Sequence, residues 1–123
     1  MITEDFCSFE VAKLLKEKGF DEGCNSYFIS DNEIALISNR RDFNNHGVYL
    51  SAPTLQMAMK WLREVHNIFI EISTNIDLNG KYHYSYTILD KECKYIRRGY
   101  TDFDWNYEET CKAAIKYCLE NLI

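Results

Sequence analysis

Several groups of residues have the types and spacing to do chemistry. In Lys81-Tyr82-His83-Tyr84-Ser85-Tyr86-Thr87 a tyrosine stands at every second position, the spacing that sends all three rings to one face of a β-strand. Such a row is either ordinary cross-strand packing, favoured by β-propensity, or a platform of rigid amphipathic rings for a ligand or partner. Arg97-Arg98, with Lys91 and Lys94, is the only dense basic stretch. Beside an aromatic face it could hold a phosphate or a nucleotide, while on an edge strand the same charges guard against unwanted pairing. Arg40-Arg41 has the same two readings.

Asp102, Asp104, Glu108 and Glu109 have the composition of an acid/base pair or a divalent-cation site, but acids before a helix complement its dipole, and capping is the reading adopted. His46, His66 and His83 are scattered over three elements, with no Ser or Cys in a nucleophile motif. The five glycines are isolated, so Gly-rich phosphate loops are absent. No catalytic residue, metal ligand or cofactor is assigned. The candidate binding residues are Tyr82, Tyr84, Tyr86, Arg97 and Arg98.

The elements that position them belong to one expected domain, residues 1–123, of ordinary globular composition with 46% hydrophobic and 27% charged residues. A net charge of -5 argues against a general nucleic-acid binder, which needs clustered Lys and Arg in excess of acids. No apolar run is long enough to cross a bilayer, and the opening "MITEDFCSFE" has acids where a signal peptide has basic residues. Five cysteines without a C-x-x-C pair fit reduced thiols in a cytosol, and the expected location is cytoplasmic. Cys111 and Cys118 read as small core residues.

Ser8 caps a first helix whose apolar stripe is Val11, Leu14 and Leu15 and whose stop is Gly19. "NSYFIS" and "EIALIS" flank Asp31-Asn32 as a hairpin, and "NRRDFNNHG" reads as a loop. "SAPTLQMAMKWLREVHN" is the strongest helix, with Pro53 suited to its first turn, Leu55, Ala58, Leu62 and Val65 as its stripe, and Asn67 as a left-handed cap. "IFIEIST", the tyrosine strand and "CKYIRRGYT" follow as a meander. Asn106 and Glu109 form a capping box for the last helix, whose buried stripe includes Cys111, Ala114, Ile115, Cys118 and Leu119. The order α-β-β-α-β-β-(β)-α predicts an α+β fold, a single antiparallel sheet of four or five strands with three helices on one face.

If Asn79-Gly80 forms a two-residue hairpin loop, Ile72 faces Thr87 and Ile70 faces Leu89. Ile68, Ile70, Ile72 and Ile76 then pack under the helices, and Tyr82, Tyr84 and Tyr86 lie on the open face. A loop with an odd number of residues reverses that assignment.

Ala52-Pro53-Thr54, Trp61-Leu62-Arg63-Glu64 and Tyr107-Glu108-Glu109, with the opening "EDFCSFEVAKLLKEKGF", give the chain a wider likeness. It resembles small proteins encoded by phages and prophages of gut Bacteroides-type bacteria, in which an A-P-T helix ending near W-L-R-E precedes a β-branched strand and a Y-E-E-A-type helix closes the chain. Thr110 stands where that pattern commonly has Ala. The resemblance implies a phage or mobile-element origin and expression in a bacterial cytoplasm, and carries no activity. The expected function is that of a non-enzymatic accessory protein, binding a host or phage protein or a second copy of itself through the tyrosine face. A nucleotide-binding or sequestering role, as in an anti-defence factor, is the alternative.

Overall fold

The computed structural model describes residues 2–47, 49–100 and 106–123. Nine main elements follow in the order α1 (Phe9–Glu17), β1 (Cys24–Ser30), β2 (Glu33–Arg41), β3 (Leu50–Ser51), α2 (Leu55–His66), β4 (Phe69–Ile76), β5 (Tyr82–Leu89), β6 (Tyr95–Tyr100) and α3 (Tyr107–Asn121), with a 3-10 turn at Phe43–Asn45. The α+β class is as expected. The single sheet is not: the strands form two three-stranded antiparallel sheets, ordered β2-β1-β3 and β4-β5-β6.

The helices lie between the sheets. Ala12 of α1 packs with Phe28 and Leu50 of the first sheet and with Ala52 just beyond it, while Val11 and Leu15 share a cluster with Cys111, Ile115 and Leu119 of α3. The other side of α3 rests on β4 and β5. β3, whose Ser51 was read from sequence as the start of the next helix, takes the free edge of β1, with Tyr27 opposite Ser51 and Phe28 opposite Leu50.

Helix ends follow local chemistry. The Ser8 hydroxyl accepts from the Val11 amide at 3.2 Å. At the other end Phe20 N–H donates to Leu15 and Gly19 N–H to Lys16, a Schellman stop that needs Gly19 at φ +89°. In α2 the cap is Thr54, accepting from Met57 at 3.2 Å, so Pro53 precedes the helix instead of opening its first turn. Asn67 closes it in the left-handed region at φ 55°. Asn106 and Glu109 form the expected capping box of α3.

β2 extends to Arg41, through residues read from sequence as a loop. Its pairing with β1 is regular only near Leu36–Ser26, Ala35–Tyr27 and Ile34–Phe28, and is shifted between Ser26 and Cys24. Asn25 holds this irregularity: its side-chain amide donates to the Ile37 and Ser38 carbonyls at 3.3 and 3.4 Å, and its carbonyl accepts from Arg40 Nε at 3.2 Å.

The β4–β5 turn overturns the expected register. Asp77 closes a three-residue loop of Leu78, Asn79 and Gly80. Its carboxylate accepts from the Asn79 and Lys81 amides at 2.8 and 2.9 Å, its carbonyl accepts from Gly80 N–H, and its amide donates to the Lys81 carbonyl. Gly80 takes the left-handed position at φ +81°. The anchoring Asp77 therefore outcompetes the two-residue Asn-Gly turn. Ile72 faces Tyr86, Ile70 faces Ile88 and Thr74 faces Tyr84. One residue of slip moves the whole row to the other face of the sheet.

Candidate functional site

The tyrosine platform does not exist as an open surface. Tyr86 is 6% exposed and joins Ile88 in the core beneath α3. Tyr84 is half-buried, edge-on to Tyr107 of α3 at 5.9 Å. Tyr82, opposite Ile76 near the hairpin tip, stays 60% exposed. Of the expected core isoleucines, Ile68 is buried and Ile70 and Ile72 pack partly buried against the core, whereas Ile76, at the hairpin end of β4, is 61% exposed.

The two arginines separate. Arg97 pairs with Ile88 and Arg98 with Thr87, so they point to opposite faces of β6. Arg97 lies 4.3 Å over the Tyr117 ring and donates through Nε to the Tyr86 hydroxyl at 3.4 Å. That hydrogen bond favours its charged form and raises its pKa. The structure thus gives Tyr84, Tyr86 and Arg97 to the seam between α3 and the second sheet.

Most of the other candidate reactive groups are held in structural contacts. Glu109 and Asn106 cap each other, with Glu109 N–H donating to Asn106 Oδ1 at 2.8 Å. Glu108 lies in the same first turn, and Asp102 and Asp104 lie outside the described residues. His83 Nε2 meets Asp77 Oδ2 at 2.8 Å, while His66 stands edge-on to Trp61. Burial pushes the Cys7 and Cys118 thiols up to about 12 and those of Cys24 and Cys111 to about 11, leaving them protonated and unreactive at neutral pH. Among the described residues no three His, Cys, Asp or Glu side chains come together as a metal site.

What the fold does create is a groove of about 580 Å³ between α2 and the β1–β2 hairpin. Successive turns of α2 present Met57, Trp61 and Val65 along one wall. Cys24, Ser26 and Leu36 supply the sheet side, and Glu4 and Phe6 close one end. Cys24 Sγ touches Met57 Sδ at 3.7 Å across the floor. Arg40 is brought to the rim by the irregular turn of β2, and a Cβ on Gly23 would come within 3.3 Å of the Arg40 Cβ, so the close approach there favours glycine. Lys60 and Glu64 add charge of both signs to the α2 rim.

Two large apolar side chains are left uncovered on facing walls, Leu36 at 71% and Val65 at 51% exposure. Sequence reading missed both. Helical periodicity put Val65 in the core stripe, but α2 turns that residue past the edge of the sheet. For Leu36 a signal was available: Ile34-Ala35-Leu36-Ile37 is a continuous apolar run, the pattern of a strand covered on both faces. Such a groove, with Met57 and Trp61 on its apolar wall and charge of both signs on its rim, has the composition of a surface that binds a polypeptide chain. Among the described residues no helix is long and apolar enough to cross a membrane. Compared with known protein families, curated proteins and solved structures, the chain matches none.

Proposed function

We propose that this chain is a non-enzymatic accessory protein, of phage or prophage origin, that acts by binding another protein in the groove between α2 and the β1–β2 hairpin. The observation that carries the reading is the pair Leu36 and Val65, apolar and exposed on opposite walls of one groove. Apolar side chains concentrated in a concave, charge-rimmed site are the composition of a protein-contact core and its polar rim. The likeness of Ala52-Pro53-Thr54, Trp61-Leu62-Arg63-Glu64 and Tyr107-Glu108-Glu109 to phage-encoded proteins supports the origin, and a bacterial cytoplasm is the location that goes with it.

The α2 residues that line the groove run from Gln56 to Val65, a span on the order of 15 Å at about 1.5 Å per residue, enough for an extended segment of about four to five residues. The partner segment on this reading presents one or two apolar side chains to Met57 and Trp61, with polar residues beside Lys60, Glu64 and Arg40. The test compares proteins retained from bacterial lysate by the wild-type chain and by Val65→Glu. Val65 is exposed, so the variant keeps the fold. A protein retained by the first and lost by the second supports the groove; identical retention by both rules it out.

A further inference from the structure

We propose that the chain forms a twofold dimer by antiparallel pairing of the outer edge of β2 with the same edge of a second copy. The inference goes beyond the groove reading, because it rests on the backbone edge of β2, and it shares with that reading only Leu36, which stands where the edge meets the groove.

An edge strand leaves a row of backbone donors and acceptors open to another strand, and folded proteins blunt such edges with short strands, charges or bulges. Three of the four edges here are treated in that way. β3 has two residues, β4 carries Glu71 in mid-strand, and β6 carries Arg97 and Arg98. β2 differs. Its charges, Glu33, Arg40 and Arg41, stand at the two ends, and its pairing with β1 shifts on either side of the middle; between them Ile34-Ala35-Leu36-Ile37 has no charge, proline or glycine. That composition belongs to an interior strand, yet β2 stands at the end of the β2-β1-β3 order. Leu36 shows the mismatch directly: it shares the helix-facing side of the sheet with buried Ser26, its partner on β1, and is still 71% exposed.

The occupant is a second copy because the strand is complementary to its own reverse. Its start is acidic, with Asp31 and Glu33, and its end basic, with Arg40 and Arg41. A twofold axis perpendicular to the sheet preserves the two faces and sets the acidic start of one copy beside the basic end of the other, in an isologous contact. Centring the axis on Ala35 confines pairing to the regular stretch. Small Ala35 then faces its own copy, Ile34 of each chain covers Leu36 of the other, and Glu33 lies opposite Ile37, with Asp31 opposite Asn39 and next to Arg40. The two sheets join as six strands, and the floor of each groove is extended by the copy's Ile34.

An edge pair buries less surface than a standard interface, so the dimer is expected to be concentration-dependent. Sedimentation of the intact chain over a concentration series should give a mass rising from one chain to two. Leu36→Lys, at an exposed position, should stay monomeric with an unchanged circular dichroism spectrum. Ile29→Lys, equally exposed but on β1, should dimerise like the wild type. A wild-type chain that is monomeric throughout overturns the proposal, and so does a Leu36→Lys chain that dimerises as strongly as the wild type. The Val65→Glu comparison above reads the groove separately, so either reading can fail alone.

Discussion

The phenol end of Tyr86 occupies the space that a β-carbon on Gly99 would fill. The two residues are register partners on β5 and β6, and the absent side chain of one is what lets the ring of the other reach Arg97. Gly99→Ala must therefore move a buried ring. The expected cost is about 1–3 kcal/mol, as for overpacking in a core, read as a lower urea midpoint with unchanged slope. A midpoint within error of wild type would mean that the seam with α3 accommodates a methyl group.

Acid should weaken the second sheet through its turns. Asp90 repeats the arrangement of Asp77, accepting from the Glu92 and Lys94 amides at 2.9 and 3.0 Å. Both carboxyls lie below their ordinary 3.8, Asp77 first through the His83 hydrogen bond and Asp90 first through the Lys94 amide. Between the depressed folded value and the unfolded one, only the unfolded chain binds the proton. The stabilisation is thus complete above the unfolded value and lost as pH falls through the folded one. Urea midpoints from about pH 6 down to about pH 3 should fall less steeply for the double variant Asp77→Asn, Asp90→Asn, which keeps acceptors in both turns but cannot titrate there. Parallel curves would remove these two groups from the acid response.

Thiol chemistry should single out one position. Cys93 is exposed in the β5–β6 turn, and the other four cysteines are buried. Iodoacetamide at about pH 8, near an unperturbed thiol pKa, should add one group to the native chain, at Cys93, and reach the remaining thiols only after denaturation. Mass spectrometry distinguishes that outcome from early labelling of Cys24, which would indicate that the groove floor opens.

Local signals in the sequence were enough for much of the fold. Ser8, Gly19, Asn67 and the Asn106–Glu109 box each act on backbone groups within a few residues, and each end forms where those residues stand. Failures came where two local signals competed or where pairing was distant. Asp77 and Asn79-Gly80 both specify turns, and the Asp77 turn, longer by one residue, reversed the face of Tyr82, Tyr84 and Tyr86. Nothing in either hairpin states whether it continues into the other, so the division into two sheets was not legible. The groove was hidden for the same reason, since Leu36 and Val65 line it from elements that have no sequence relation.

The placement of α3 also sets an order of events during synthesis. It covers β4 and β5 and contacts α1 and α2, yet it is translated after all of them. Until it leaves the ribosome, the hairpins of the second sheet can close through their aspartate turns while Tyr86 and Ile88 remain uncovered. A nascent chain paused before Tyr107 therefore presents an apolar sheet face to chaperones or to neighbouring chains, and the rate at which those last turns of helix appear governs how long that exposure lasts.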